Sequence, residues 1–392
     1  MNKNVLNTEV QNYINTHLND DITKLLLKGK QINGIDIKII IEQIEAKKKS
    51  KTKLPTWFET KNIYYPNKLN IEQTSSELTA KYKSSLISGE RLIDITGGFG
   101  VDSYYFSKNF SSVTHCEIND QLSKIVSHNF KQLEVKNISC ISEEGINHLN
   151  TATKTYDWIY IDPSRRHESK GKVFFLRDCL PNVPKHLETI MHDSNNVMIK
   201  TSPLLDLSIG ISELKYVKQI HIVALNNEVK ELLWILEKDH TETTIVKTVN
   251  FTKGKKQLFS FKLEDEPISK ANYSLPLTYL FEPNVAILKS GGFKVLSDAF
   301  KIYKLHKNSH LYTSNSKIEF PGKQFKIEKI ISYNKRVFKY LGISKANVVT
   351  RNFPETVQQI RKKLGIKDGG ETYLFFTTNL SNEKLVLVCS RI

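Results

Sequence analysis

The chain opens with helical spacing of its apolar residues. In "NYINTHLNDDITKLLLKGKQ" and "GIDIKIIIEQIEAKKKSK" they recur three and four apart, which predicts helical hairpins over residues 1–75. The following "LPTWFETKNIYYPNKLN" has two prolines and four aromatics and predicts an ordered extended linker packed on a neighbour. "EQTSSELTAKYKSSLI" then predicts a helix.

From residue 91 the pattern changes. Short apolar runs alternate with helical stretches: "RLIDI" (91–95), "SVTHCEI" (112–118), "NISCIS" (137–142), "DWIYID" (157–162), "NVMIKTS" (196–202), "QIHIVAL" (219–225) and "ELLWIL" (231–236). Only "NNEVK" separates the last two, which predicts a hairpin with Asn226, Asn227 and Glu228 in a plain turn. Five βα units and a terminal hairpin describe a doubly wound α/β sheet with one reversed strand. Residues 245–263 predict a further hairpin, and polar, proline-punctuated "EDEPISKANYSLP" sets a boundary near 265. Beyond it, "NVAILKSGGFKVLSDAF" and "KRVFKYLGI" predict helices and "HLYTS" and "KQFKIEKII" strands. A helix from Pro354 to Gly365 precedes the strands "ETYLFFTTN" and "KLVLVCS". Short βα units with a terminal hairpin fit one or two ferredoxin-like modules.

Composition adds bounds. At 392 residues more than one core is expected. The apolar runs are too short to span a membrane, and the polar, amphipathic N-terminus lacks a secretory core. Four scattered cysteines without a CxxC pair argue against a zinc ribbon and a disulfide framework, so no metal is expected and the cytoplasm is the expected compartment. Fifty-seven Lys and Arg against 41 Asp and Glu give +16, which suits a polyanionic partner; lysines spread over solvated faces would give the same total.

The chemistry concentrates in "RLIDITGGFGVDSYYF" (91–106), a strand, a glycine loop and a helix start. Such a loop lets backbone N–H groups approach a ligand, because no Cβ holds it away. Dinucleotides and S-adenosylmethionine are both bound this way. Counted from Asp94, the glycines stand at offsets 3, 4 and 6, and the dinucleotide spacing would need glycine where Ser103 stands.

With Glu117 at the end of the second strand, these residues resemble the class I S-adenosylmethionine-dependent methyltransferases. The resemblance implies that Asp94 contacts the methionine amino group and Glu117 the ribose hydroxyls. Thr96, Gly97, Gly98 and Gly100 would form the loop, and Ser142 or Glu143 would lie near the adenine. Ser76 and Glu77, in the helix before the first strand, are weaker candidates. The "DxTxGxGxD" form is most similar to rRNA methyltransferases. "DWIYIDPSRR" (157–166) ends the fourth strand, where the family places catalysis. It is similar to (D/N)PP(Y/F), whose carboxylate or amide and proline carbonyl accept hydrogen bonds from a target amine. Asp162, Pro163, Ser164 and Arg165 are the catalytic candidates, with Ser164 in place of the second proline and Arg165 in place of the aromatic. A guanidinium can stack on a base or hold a phosphate. The motif also resembles the DPPR of uridine C5-methyltransferases, which need a cysteine after strand five, where "IKTSPLLD" has none. Cys179, in a helical pattern, reads as a buried small residue. Arg166, Lys170 and Lys172 would form a basic flap.

"YLFEPN", "HLYTS" and "GGETYLF" are similar to stretches of bacterial methyltransferases with a THUMP-like C-terminal domain, a domain class that binds structured RNA ends. The resemblance implies a tRNA or rRNA substrate, with Arg351, Arg361, Lys362 and Lys363 as backbone contacts. It also implies a class I sheet of seven strands, an N-terminal helical region (1–80), a methyltransferase domain (81–265), a ferredoxin-like module (266–325) and a THUMP-like domain (326–392). The expected function is S-adenosylmethionine-dependent methylation of RNA at an exocyclic base nitrogen. The alternatives are an RNA-binding protein that keeps the cofactor fold with little catalysis, and a methyltransferase of a protein or small metabolite.

Overall fold

The structure is a computed structural model that describes residues 1–29, 31–151, 155–165 and 174–392. Nine strands form the first large sheet: β1 (Gly89–Asp94), β2 (Phe110–Cys116), β3 (Ile138–Ile141), β4 (Trp158–Ile161), β5 (Asn196–Thr201), β6 (Val217–Leu225), β7 (Glu228–Glu237), β8 (Ile245–Thr252) and β9 (Lys255–Lys262). Their hydrogen-bonded order is β9-β8-β6-β7-β5-β4-β1-β2-β3. The pairs β1/β2, β1/β4, β2/β3 and β4/β5 are all parallel. Ile159, Ile161, Val197, Met198 and Ile199 are fully buried, which explains why β4 and β5 read as unbroken apolar runs: helices cover both faces of a parallel sheet. The chain steps outward from β1 to β2 and β3, then returns to the other side of β1 with β4. The crevice outside the carboxyl ends of β1 and β4 is therefore the topological switch point, where such sheets bind ligands.

The seven strands expected from the pattern are present, and β8 and β9 add to them. β8 pairs in parallel with β6, Gln219–Leu225 lying against Ile245–Phe251, and β9 returns antiparallel to β8. Both hairpin turns have two residues in the left-handed region, Asn226 and Asn227 (φ 48° and 64°) and Lys253 and Gly254 (φ 44° and 75°), the twist that two-residue hairpin loops require.

By compactness the chain divides into Met1–Val217 with Trp234–His240, and Lys218–Leu233 with Thr241–Ile392. In the first unit the N-terminal helices share one core with the helices that flank the sheet. Ile40, Ile44 and Trp57 belong to the same buried cluster as Tyr104, Val126 and Phe130, and Trp57 meets Tyr104 edge-on at 4.9 Å. The stretch expected as a linker begins as a short helix, Pro55–Glu59, with proline in its first turn. It then runs extended, and its main chain is tied down: Asn129 bonds both N–H and C=O of Tyr64, and Gln43 does the same for Tyr65, at 2.6–2.9 Å.

The second unit contains a seven-stranded sheet of β10 (Tyr279–Pro283), β11 (Tyr303–Lys304), β12 (Tyr312–Ser314), β13 (Gly322–Ser332), β14 (Asn347–Arg351), β15 (Thr372–Thr378) and β16 (Lys384–Arg391), in the order β11-β12-β10-β13-β16-β15-β14. Two expectations change here. The helix foreseen over "NVAILKSGGFKVLSDAF" is two, Val285–Ser290 and Phe293–Ala299, broken where Gly291 turns left-handed at φ 74°. The last helix starts at Val357 rather than Pro354, because Thr356 and Gln359 form a capping box; it ends at left-handed Gly365. Among the described residues no helix is long and apolar enough to cross a membrane.

Candidate active site

Asp94 ends β1 and is 1 % exposed. Its Oδ1 accepts from the Thr96 N–H (3.0 Å) and its Oδ2 from the Ser103 hydroxyl (2.6 Å), so one carboxylate grips the glycine loop at its start and at the helix that follows. Burial raises the Asp94 carboxyl to about 7, against the pull of these hydrogen bonds.

The three glycines have three different reasons. A Cβ on Gly97 would lie 2.3 Å from Nε2 of His115, whose ring is wholly buried beneath the loop. Burial lowers that imidazole to about 4, so it is neutral at physiological pH. A Cβ on Gly100 would lie 2.7 Å from the Phe130 ring, and Gly100 has φ +79°. A Cβ on Gly98 would meet nothing nearer than the Thr96 carbonyl at 3.9 Å, so this residue, at φ +54°, borders open space. Gly97 and Gly100 bring the loop onto the protein; Gly98 leaves room for a ligand.

Glu117 follows β2. Its Oε2 accepts from the Gly98 N–H (2.9 Å) and its Oε1 from the Asn119 N–H (2.7 Å). Each oxygen keeps a second lone pair, so the carboxylate is held ready for two hydroxyl donors. Ile118 beside it is 72 % exposed and offers an apolar face. After β3, Ser142 is exposed and Glu143 lies 3.2 Å from His148 Nδ1. Gly145 seats this loop: a Cβ there would be 2.3 Å from the Ile95 carbonyl oxygen.

Asp162 is the first residue past β4, and its N–H donates to the Thr96 hydroxyl at 2.6 Å. This contact gives a reason for threonine at position 96: its side chain links the glycine loop to the DPSRR segment. The Asp162 Oδ2 receives the Lys200 ammonium at 2.5 Å. Pro163 is buried and Ser164 exposed. Ser164–Arg165 pairs antiparallel with Cys179–Leu180, so Cys179 lies in a two-residue strand and not in the expected helix. A 3-10 turn over Leu176–Asp178 precedes it, and its thiol is buried, donating toward the Phe175 carbonyl at 3.6 Å. Arg166, Lys170 and Lys172 lie outside the described residues.

The structure thus brings Asp94, Thr96, Gly98, Glu117 and Asp162 to the carboxyl ends of β1, β2 and β4. Ser76 and Glu77 serve inside the protein. Ser76 caps the helix Glu77–Ser84, and Glu77, 4 % exposed, accepts from the Thr56 N–H (2.5 Å), the Thr56 hydroxyl (2.9 Å) and the Tyr105 hydroxyl (2.7 Å). Arg351, Arg361, Lys362 and Lys363 belong to the second unit. Three of them hold carboxylates there: Arg351 holds Glu282 (2.7 Å), Arg361 holds Asp368, and Lys363 holds Glu355 (3.0 Å). Lys200 was not foreseen, because in "NVMIKTS" it reads as an ordinary strand lysine; only the β4/β5 pairing brings it to Asp162.

Residues 279–321 match a ferredoxin-like domain model and residues 322–391 a THUMP domain-like model. The crystal structure of a protein of Porphyromonas gingivalis W83, described as a candidate methyltransferase, is 30 % identical, with a TM-score of 0.90 over 100 % of this chain and 98 % of that one. The chain belongs to the class I S-adenosylmethionine-dependent methyltransferases with a THUMP-like C-terminal domain. The cofactor of this methyltransferase family is S-adenosylmethionine. More distant solved structures align with the methyltransferase through part of its length. An rRNA methylase from Streptococcus thermophilus is 15 % identical over 41 % of this chain and 94 % of its own, with a TM-score of 0.31. TrmK of M. capricolum, in complex with S-adenosylhomocysteine, is 14 % identical over 42 % of this chain and 71 % of its own, with a TM-score of 0.33. No curated protein matches the methyltransferase significantly by sequence.

The site fits the cofactor on its own chemistry. Glu117 keeps two acceptor lone pairs for a ribose diol, Gly98 borders open space, and Ile118 offers an apolar face to a heterocycle. Among the described residues no group of His, Cys, Asp and Glu side chains is arranged to hold a metal ion.

Proposed function

We propose that this methyltransferase acts on RNA, either rRNA or tRNA, and that its acceptor is an exocyclic base nitrogen presented beside Asp162 and Pro163. The observation that carries the reading is the 2.6 Å bond from the Asp162 N–H to Thr96, which ties the acceptor segment to the cofactor loop. Glu117 would hold the ribose hydroxyls, Gly98 would border the cofactor, and Asp94 would shape the loop from beneath. When bound, S-adenosylmethionine supplies an electrophilic methyl group.

An exocyclic amine needs orientation more than it needs a strong base. Asp162 accepts a hydrogen bond from one amine N–H, the Pro163 carbonyl accepts from the other, and the nitrogen lone pair is aimed by these two acceptors. The proton shed after transfer is released to solvent. The net charge of +16 and the THUMP-like module support a polyanionic substrate. In the second unit, Lys362 would contact the RNA backbone together with those residues that exchange their carboxylates for phosphates. For Arg361 and Lys363 such exchange costs little, because exposed ion pairs contribute only about 0–1 kcal/mol, whereas Arg351 is held by the buried Glu282.

The test is methyl transfer from labelled S-adenosylmethionine to total RNA from cells lacking this gene, with Asp162→Ala as control. Label in one RNA size class, lost in the variant, supports the reading. Cofactor binding without label in RNA would move the substrate to protein or metabolites, and absence of cofactor binding would leave an RNA-binding protein.

A further inference from the structure

We propose that Lys200 is a positioning residue for methyl transfer, clamping the Asp162 carboxylate so that one of its oxygens is left for the acceptor. The proposal deepens the reading of the site given above and rests on it. The pair is built by strand register. Ile159, Tyr160 and Ile161 of β4 stand opposite Val197, Met198 and Ile199 of β5, so the next positions along, Asp162 and Lys200, oppose each other. Parallel strands in register direct opposed side chains to the same face of the sheet. The ammonium meets Oδ2 at 2.5 Å, and the two side chains are only 16 % and 32 % exposed, unlike the long, mobile pairs of an open surface.

Asp162 is therefore held twice, at its N–H by the Thr96 hydroxyl and at Oδ2 by Lys200. Oδ1 has no donor among the described residues. A carboxylate at the end of a strand, left to itself, would distribute over several rotamers and offer either oxygen. With both tethers in place one oxygen is presented in one direction, which is what an acceptor amine needs. The ammonium also cancels the local charge and disfavours a cationic acceptor, so a neutral amine is the substrate group that suits this pair.

A double-mutant cycle tests the clamp. Wild type, Lys200→Met, Asp162→Asn and the double variant are assayed for transfer of labelled methyl to a total extract of cells lacking the gene, separated into RNA, protein and small-molecule fractions. Lys200→Met is expected to lower kcat by about 10–100-fold, the scale of a misplaced reacting group, with KM for the labelled fraction unchanged. In the Asp162→Asn background the same change should cost little more, because the two residues act as a unit. Lys200→Arg should restore part of the rate. A second arm needs no turnover: acetylation of Lys200 by an N-hydroxysuccinimide ester, read by mass spectrometry, should be faster in Asp162→Asn than in wild type. Melting temperature and S-adenosylmethionine affinity should stay at wild-type values in every variant.

Additive losses, or a Lys200→Met defect confined to KM, would make Lys200 an independent substrate contact and overturn the clamp. Equal acetylation rates would overturn it as well. Label in the protein or small-molecule fraction would remove RNA from the reading above and leave the cycle to be scored on that fraction. Label in none would overturn both.

Discussion

Two adjacent glycines should fail in opposite ways when replaced by alanine. At Gly97 the new methyl group would lie 2.3 Å from His115 Nε2 and 2.5 Å from its Cδ2 and Cε1, far inside contact distance. The ring cannot swing away, because it is fully buried and packs edge-on against Phe130 at 5.9 Å. Overpacking of this kind costs about 1–3 kcal/mol, or about 4–8 °C in melting temperature for a unit of this size if the cost is about 2 kcal/mol. At Gly98 the methyl group meets nothing closer than 3.9 Å, so packing is untouched and only the left-handed backbone at φ +54° is penalised, by about 1 kcal/mol. Its Cβ would enter the open space beside the loop, where the cofactor is proposed to sit. Gly97→Ala should therefore be the less stable protein and Gly98→Ala the weaker binder. Thermal unfolding by circular dichroism and calorimetric titration with S-adenosylhomocysteine measure the two effects. Gly98→Ala should lose at least about tenfold in affinity, equivalent to about 1.4 kcal/mol. A Gly97→Ala protein as stable as wild type, or a Gly98→Ala protein that binds normally, would refute the assignment of packing to one glycine and ligand space to the other.

Three further outcomes are expected. The Asp94 carboxyl is raised from 3.8 to about 7 by burial, so its contribution to stability is fully present below the unfolded value and is lost as pH rises through about 7. Unfolding free energies at pH 5 and 8 should show wild type losing ground to Asp94→Asn at the higher pH; a pH-independent difference would contradict the burial argument. Lys83 is fully buried, with its ammonium 3.2 Å from Asp102 Oδ1 and 3.0 Å from the Ser75 hydroxyl. Lys83→Met should cost about 3–5 kcal/mol in urea titrations, because Asp102 loses its counter-charge while the Ser75 and Tyr160 hydroxyls (2.8 and 2.7 Å) still donate to its Oδ2; a variant as stable as wild type would contradict this. On the helix Val357–Leu364, Arg361 and Lys363 already hold Asp368 and Glu355. Lys362→Ala should therefore lower the salt slope of tRNA binding, read by fluorescence anisotropy, by about one, and more than Lys363→Ala does.

Much of this architecture is legible in the sequence, for a physical reason. β4 and β5 are buried on both faces, so they appear as uninterrupted apolar runs, and the glycine loop stands out because two close approaches, at Gly97 and Gly100, exclude a side chain and Gly98 between them turns left-handed beside open space. What is hidden is what pairing decides. The β8–β9 hairpin reads the same whichever sheet edge receives it, and its parallel union with β6 cannot be seen from its own residues. Lys200 gains its partner only when β4 and β5 lie side by side. Glu77 and Asp94 are both buried, and the sequence does not show the hydrogen bonds they accept inside the protein, from Thr56 and Tyr105 in the one case and from Thr96 and Ser103 in the other. The capping box at Thr356 is present in the sequence as T-x-x-Q, two residues after a proline that suits a first helical turn equally well, and the pattern alone does not choose between them.

The β8–β9 hairpin also decides which backbone edge the sheet presents on that side. A sheet that stopped at β6 would end in a strand whose "QIHIVAL" run is apolar and β-branched, an inviting template for another chain. β8 covers that edge, and the strand left outermost is β9, "KKQLFSFK", which places Lys255, Lys256 and Lys262 at its two ends. A second copy adding itself in either direction would bring lysines against lysines or leave them stripped of water. On this side of the sheet the hairpin thus replaces an apolar edge with a lysine-flanked one, and removing it would expose the β6 edge to strand pairing.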